Sequence, residues 1–165
     1  LILSSEKKEE VRDMESIQNG LRLDDYGTFI RYSDDFDRIT AKLKQSNCPY
    51  DLSQKGYCRV YSKCFSSEIT FWIAFEFSEK RLMRISLLPV NVKNDQNSYT
   101  TLQLILEGML GKIPAWQKMQ NFLNPCFQTS KWRISNGTIT HTLSDRFGTE
   151  DVISILLNDA EAHSM

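Results

Sequence analysis

The stretch ITFWIAFEFSEKRLMRISLLP, residues 69–89, contains the clearest structural signal in the sequence. Apolar and less apolar residues alternate over 69–77, and apolar residues return over 82–88 after a polar segment. Alternation with a period of two is typical of a strand that buries one face. We therefore predict two antiparallel strands, residues 69–77 and 83–89, joined by a tight loop.

The register of this hairpin follows from the cost of burying charge. A two-residue loop at Glu79-Lys80 would set Phe75 opposite Arg84, and burying an unpaired guanidinium is costly. A three-residue loop over 78–80 instead pairs Phe75 with Met83 and keeps the apolar side chains together. One face should then carry Phe71, Ile73, Phe75, Met83, Ile85 and Leu87, and the other Trp72, Glu76, Arg84 and Ser86.

Helical and strand patterns continue outward from this hairpin. Helical spacing predicts helices over residues 6–18, 34–45, 99–110 and 113–123, the last with an apolar stripe of Ile113, Trp116, Met119 and Leu123. Period-two patterns predict strands over residues 27–32, 57–65, 131–135, 138–143 and 152–157. The Asn136-Gly137 pair predicts a type I′ turn that sets Trp132 opposite His141.

This order of elements predicts an α+β fold, because helices and antiparallel strands are segregated along the chain. We expect a single domain over residues 1–165, with residues 158–165 as a loose tail. Its mostly antiparallel sheet should have about six strands, with four helices packed chiefly on one face.

Composition excludes several classes of function. Lysine and arginine number 20 against 21 aspartate and glutamate residues, and nucleic-acid binding usually needs a basic excess. The chain also lacks an apolar run near the roughly 18 residues that span a bilayer. We expect no nucleic-acid partner, no membrane span and a cytoplasmic location, or a periplasmic one if a signal segment was removed.

The four cysteines, Cys48, Cys58, Cys64 and Cys126, do not have zinc-site spacing, and no metal or cofactor site is predicted. We expect free thiols in a reducing compartment. A Cys48–Cys58 or Cys48–Cys126 bridge stays open for an exported protein.

Catalytic patterns are sparse. His141 is the one plausible general base, and it would need a partner such as Cys126 or Glu76. Glycine-rich nucleotide loops do not occur in the sequence. We therefore interpret His141 as a half-buried structural histidine and the protein as a non-enzyme.

Two groups of residues suggest partner binding. The acidic residues Asp24, Asp25, Asp34, Asp35 and Asp37 suit turns and helix caps, or a basic partner attracted by charge. The face of the central hairpin with Trp72, Glu76 and Arg84 mixes an aromatic ring with both charges, which suits a recognition surface.

Three stretches carry a resemblance to a known class of proteins: residues 71–89, residues 102–114 ending in Leu-Gly-x-x-Pro, and Trp132 to Ile139 followed by Asp145-Arg146-Phe147-Gly148. In these the chain resembles the small α+β immunity proteins that bacteria pair with secreted or contact-delivered toxins. The resemblance implies a protein that neutralises a cognate toxin or effector domain by direct complex formation.

Two other functions remain open. One is a small-molecule-binding domain or small enzyme that uses His141 with Cys126 or Glu76. The other is a chaperone or adaptor of a secretion system.

Overall fold

The computed structural model describes residues 16–93, 95–145 and 149–158. The fold is α+β, as predicted, and the described residues form eight strands and three helices. In chain order these are β1 (Gly20–Leu23), β2 (Thr28–Arg31), α1 (Phe36–Gln45), β3 (Tyr57–Lys63), β4 (Thr70–Ser78), β5 (Arg81–Pro89), α2 (Gln96–Leu110), α3 (Ala115–Leu123), β6 (Phe127–Ile134), β7 (Gly137–Ser144) and β8 (Glu150–Leu157).

Six strands form one antiparallel sheet in the order β3-β4-β5-β8-β7-β6, and β1 pairs with β2 in a separate two-stranded sheet. The last strand, β8, lies between the β4–β5 hairpin and the β6–β7 hairpin. Ile155 of β8 is paired with Ile85 on one side and Ile139 on the other, and all three are fully buried. The sheet is therefore continuous only because β8 joins its two halves.

One face of the large sheet, the inner face, carries the core. It presents Phe71, Ile73, Phe75, Ile85, Leu87, Ile139, Ile153 and Ile155. Helix α1 contributes Ile39 and Leu43, and α2 contributes Leu102 and Leu106, to the same apolar cluster. Asp35 caps the start of α1, where its side chain accepts the Arg38 N–H, and this agrees with the predicted acidic cap.

The β4–β5 turn differs from the prediction. Glu79 and Lys80 form a two-residue loop, with φ of 50° and 66°, and Ser78 pairs with Arg81. A β-bulge between Glu76 and Phe77 shifts the register, since Met83 is the extra residue. Phe75 therefore faces Ile85 rather than Arg84 or Met83.

The bulge reconciles the short loop with an apolar inner face. Leu82 is buried and takes the core position that we predicted for Met83, which is only half-buried. The rest of the predicted inner set is correct, and Trp72, Glu76, Arg84 and Ser86 lie on the opposite face.

The β6–β7 turn is also displaced from its predicted position. Ile134 pairs with Gly137, so the loop is Ser135-Asn136, and His141 lies opposite Ser130 rather than Trp132. The shift is two residues, which keeps every side chain on its predicted face. Gly137 is required for a different reason from the one predicted: a Cβ atom there would collide with the Leu156 carbonyl oxygen of β8.

The helices differ from the prediction in number. The described residues contain three helices, not four, and the predicted helix over 6–18 lies mostly outside them. The last residues of that predicted helix form a turn, and β1 begins directly after it at Gly20. No helix in the described part of the chain is long and apolar enough to cross a membrane.

Substituting two glycines tests the close contact between β7 and β8. We expect Gly137→Ala to lower the free energy of unfolding by about 2–3 kcal/mol, because the new methyl group overlaps the backbone of β8. Gly108→Ala is the matched control. It lies in α2, where an added methyl group would have no atom within 4 Å, and we expect a gain of about 0.5–1 kcal/mol. Urea unfolding of both variants measures the difference, and equal effects would contradict the packing described.

Candidate partner-binding surface

The side of the large sheet opposite the core is the open face. The three helices of the described chain pack on the inner face or beside β6, and this side carries half-exposed and exposed side chains in rows across the strands. One row runs through Tyr61 and Trp72, and a second through Tyr57, Glu76 and Arg84. A regular sheet side of this kind offers a rigid surface to another molecule.

An arginine held between aromatic rings lies at the β3–β4 end of the open face. The Arg59 guanidinium carbon is 5.1 Å from the centre of the Trp72 ring and 5.8 Å from that of Tyr57. Arg59 Nε is buried without a hydrogen-bond partner among the described residues, so the ring faces are its main support there. Tyr61, paired with Trp72 and 58% exposed, completes the group that we call the Arg59 cluster.

Three predicted partner-binding residues lie on the open face. Trp72 belongs to the Arg59 cluster, and Glu76 is paired directly across the strands with Arg84. Opposite charges in such positions contribute roughly 0.2–1 kcal/mol. The structure thus brings these residues to one surface, while their role in binding stays a prediction.

The five acidic residues are mostly engaged within the fold. Asp24 accepts the Ser66 N–H at 2.9 Å, and Asp25 accepts the Lys63 N–H at 3.0 Å, which fastens the β1–β2 turn to the end of β3. Asp24 and Asp25 therefore both stabilise a turn, which agrees with the prediction that these acidic residues suit turns.

The remaining acidic residues surround the start of α1. Asp34 is buried, and its Oδ2 accepts the Arg31 N–H and pairs with Lys42, so a partner has little access to this carboxylate. Asp35 caps α1, and exposed Asp37 pairs with Lys80 at 3.0 Å. A partner could reach Asp25, Asp35 and Asp37.

His141 lies in a buried polar cluster on the inner face. Its Nε2 is 2.7 Å from Asp151 Oδ1, and its Nδ1 is 2.8 Å from Gln103 Oε1. The Tyr99 ring stacks on the imidazole at 4.1 Å, and the Tyr99 hydroxyl donates to the His141 carbonyl. Burial raises the pKa of Tyr99 to about 12, so the hydroxyl keeps its proton.

The hydrogen bonds of Gln103 fix the orientation of this cluster. Its amide nitrogen donates to Ser130 Oγ at 2.9 Å and Glu107 Oε1 at 3.3 Å, so its oxygen must face His141 Nδ1. Nδ1 therefore donates to the Gln103 oxygen, while Nε2 is held by Asp151. Asp151 Oδ2 has no hydrogen-bond partner among the described residues.

The predicted catalytic partners of His141 are not beside it. Glu76 lies on the open face, across the sheet from the imidazole, and Cys126 is exposed ahead of β6. A cleft of about 590 Å³ between α2, α3 and β6 is lined by Gln103 and Ser130 among others. Because both ring nitrogens of His141 are engaged, neither is free to take a proton from the Ser130 hydroxyl. His141 is therefore engaged on both sides by groups of the fold itself.

All four cysteines are free thiols, and three are buried. Burial raises the pKa of Cys48 to about 11 and that of Cys58 to about 12. It also raises the pKa of Cys64, with a smaller contribution from nearby Asp24 and Asp25. Thiols with raised pKa values stay protonated at neutral pH and react slowly.

Helix α3 does not bury the apolar stripe predicted for it, and of that stripe only Ile113, which precedes the helix, is buried. None of its residues is buried, and Trp116, Met119 and Leu123 are 61%, 57% and 72% exposed. Its polar residues Gln117 and Asn121 face β6 instead. Periodicity identifies an apolar stripe but not the side that it faces. The sequence signal that was missed is the pair of amide residues on the other side of the helix.

Within the described residues, no group of three or more histidine, cysteine, aspartate or glutamate side chains is arranged to hold a metal ion. Comparison of the chain with known protein families, with curated proteins and with solved structures found no match.

Removing one member of the buried His141–Asp151 pair should destabilise the fold. We expect Asp151→Ala to lower the free energy of unfolding by about 3 kcal/mol, because it leaves a buried imidazole donor unpaired. The double variant His141→Leu/Asp151→Leu should be more stable than Asp151→Ala, since apolar side chains leave no such donor. Asp145→Ala, at an exposed position, is the control, and an equal loss there would contradict the assignment.

Thiol reactivity should separate the exposed cysteine from the buried ones. At pH 8 a thiol reagent should modify Cys126 of the native protein rapidly, and the other three cysteines only after denaturation. Rapid modification of Cys58 in the native protein would contradict its burial.

The raised pKa values also predict a pH dependence of stability. Unfolded thiols lose their protons near their ordinary pKa of 9.0, whereas folded Cys58 keeps its proton up to about pH 12. The folded state thus binds more protons, and the free energy of unfolding should fall as the pH rises above 9. Urea unfolding at pH 8 and pH 10 measures the change, which Cys58→Val should reduce.

Proposed function

We propose that the chain is a non-catalytic protein-binding module of the immunity type, which neutralises a cognate bacterial toxin by direct complex formation through the open face. The observation that carries this proposal is the Arg59 cluster. Tryptophan, tyrosine and arginine are the residues that dominate the binding energy of protein interfaces. Here they are grouped on the side of the sheet that no helix of the described residues covers.

Pre-organisation adds to this argument. The Arg59 side chain is already held between two rings, so little side-chain entropy is lost when a partner covers it. The neighbouring Glu76–Arg84 pair supplies charges of both signs for orientation. The exposed carboxylates Asp25, Asp35 and Asp37 would favour a basic partner such as a nuclease-type toxin.

The alternatives have less support. A small enzyme that uses His141 with Cys126 or Glu76 would need contacts that the fold does not make. A secretion chaperone would bind its substrate unfolded, and a rigid cluster of preset side chains suits a folded surface better.

Binding and protection experiments test the proposal. The products of the genes next to this one in its native genome are the candidate toxins, and each should be titrated with the purified chain. We expect one of them to bind, and co-expression of the chain to relieve the growth arrest that it causes. Trp72→Ala should weaken this complex by about thirtyfold or more, which corresponds to the loss of one central interface residue.

A second tryptophan gives a matched control. Trp116 is exposed on α3, away from the open face, and Trp116→Ala should leave the affinity within a few fold of the wild type. No binding by any neighbouring product, or equal losses from both variants, would overturn the proposal. Binding only to an unfolded effector would favour the chaperone function.

A further inference from the structure

The outer edge of β6 is covered by a helix in place of a strand. The N–H groups of Phe127, Thr129 and Lys131 point away from β7, as every second residue of an edge strand must. The first donates to the Asn124 carbonyl at 3.1 Å, the second to Asn121 Oδ1 at 2.9 Å and the third to Gln117 Oε1 at 3.3 Å. Residues 117, 121 and 124 lie on one helical face, so α3 and its C-terminal end supply acceptors along the edge.

Packing within the described part of the chain holds α3 only weakly in this position. None of its residues is buried, and its apolar stripe of Trp116, Met119 and Leu123 faces away from the sheet edge. The nearest firm anchors lie before the helix, where Ile113 is buried in the core and Trp132 Nε1 donates to the Gly111 carbonyl at 2.8 Å. Moving α3 off the edge would expose little new apolar surface, so the hydrophobic effect opposes the movement only weakly. An incoming strand could replace its side-chain acceptors with backbone carbonyls.

The charges at this edge indicate what kind of strand would fit. Every charged side chain of α3 and β6 is basic: Lys118, Lys131 and Arg133. Lys131 and Arg133 lie on the open face, opposite Thr140 and Thr138. A strand paired with β6 would place alternate side chains next to these two cations, where carboxylates are favoured. Its other side chains would lie beside Trp132 on the inner face, where apolar groups are favoured.

We propose that β6 is a strand-addition site and that α3 is its removable cover. The occupant is an extended segment of a partner protein in which acidic side chains alternate with apolar ones. A second copy of β6 fits less well, because pairing two copies would bring Lys131 and Arg133 of both chains together. This site differs from the Arg59 cluster, which lies at the β3–β4 end of the sheet, so either proposal can fail without the other.

Synthetic peptides test this site directly. The probe is a capped peptide as long as β6 that alternates valine with glutamate, and its binding to the full chain is measured by calorimetry. Two control peptides are used, one with lysine in place of glutamate and one with a central proline, which lacks a backbone N–H. We expect the glutamate peptide alone to bind. No binding, or equal binding of the proline peptide, would overturn strand addition.

Variants of helix α3 and of the basic residues Lys131 and Arg133 provide a second test. Gln117→Ala/Asn121→Ala removes two hydrogen bonds of α3 to the edge and should tighten peptide binding by about tenfold, because the competing cover is weaker. Lys131→Glu/Arg133→Glu should abolish binding of the acidic peptide and permit binding of the lysine peptide. Unchanged affinity in both variants would overturn the proposal.

Hydrogen exchange gives a readout that does not depend on these variants. The Thr129 and Lys131 amides should exchange faster than their inward neighbours Gln128 and Ser130 in the free wild-type chain. The glutamate peptide should slow the exchange of both outward amides. Exchange that the bound peptide leaves unchanged at these two positions would place it elsewhere and contradict the proposal.

Discussion

The whole architecture depends on the pairing of β8 with two hairpins at once. Ile155 lies between Ile85 and Ile139, and the three side chains fill the middle of the inner face. Without β8, each hairpin would present an unpaired edge and half of an apolar face, and a small isolated sheet is only marginally stable in water. Two contacts join β7 to β8: the tight approach of Gly137 to the β8 backbone and the buried hydrogen bond between His141 and Asp151.

The sequence predicted the content of the fold better than its register. Period-two alternation identified β4, β5 and β8, and the acidic cap identified the start of α1, because these signals are local. The bulge at Met83 has no local signal. It follows because the strands have both a two-residue loop and an apolar inner face. From the alternation pattern alone, a two-residue loop and an apolar inner face exclude each other. The sequence predicts Gly137 as a turn residue. Its close contact with Leu156 cannot be predicted from nearby residues, because Leu156 belongs to a strand distant in the sequence.

The candidate site could be predicted only in part, because local patterns assign residues to strand faces but do not show which strands pair. Trp72, Glu76 and Arg84 were assigned to one face by alternation alone, and they lie there. Arg59 was not singled out, since its position between two rings depends on the pairing of β3 with β4. The partners of His141 came from α2 and β8, which no spacing in the sequence connects. The apolar stripe of α3 is exposed, although such a stripe more often faces the core, and periodicity alone does not reveal the difference.

The position of β8 also has a kinetic consequence. β3, β4 and β5 form a meander with short connections, and β6 and β7 form a local hairpin, so both groups can pair early. β8 follows both in the chain, and its pairing with β5 closes a loop of sixty residues between Pro89 and Glu150. During synthesis on the ribosome, the inward edges of β5 and β7 therefore stay unpaired until β8 has emerged. We expect the nascent chain to be most vulnerable to aggregation in that interval, when Ile85 and Ile139 have no strand between them.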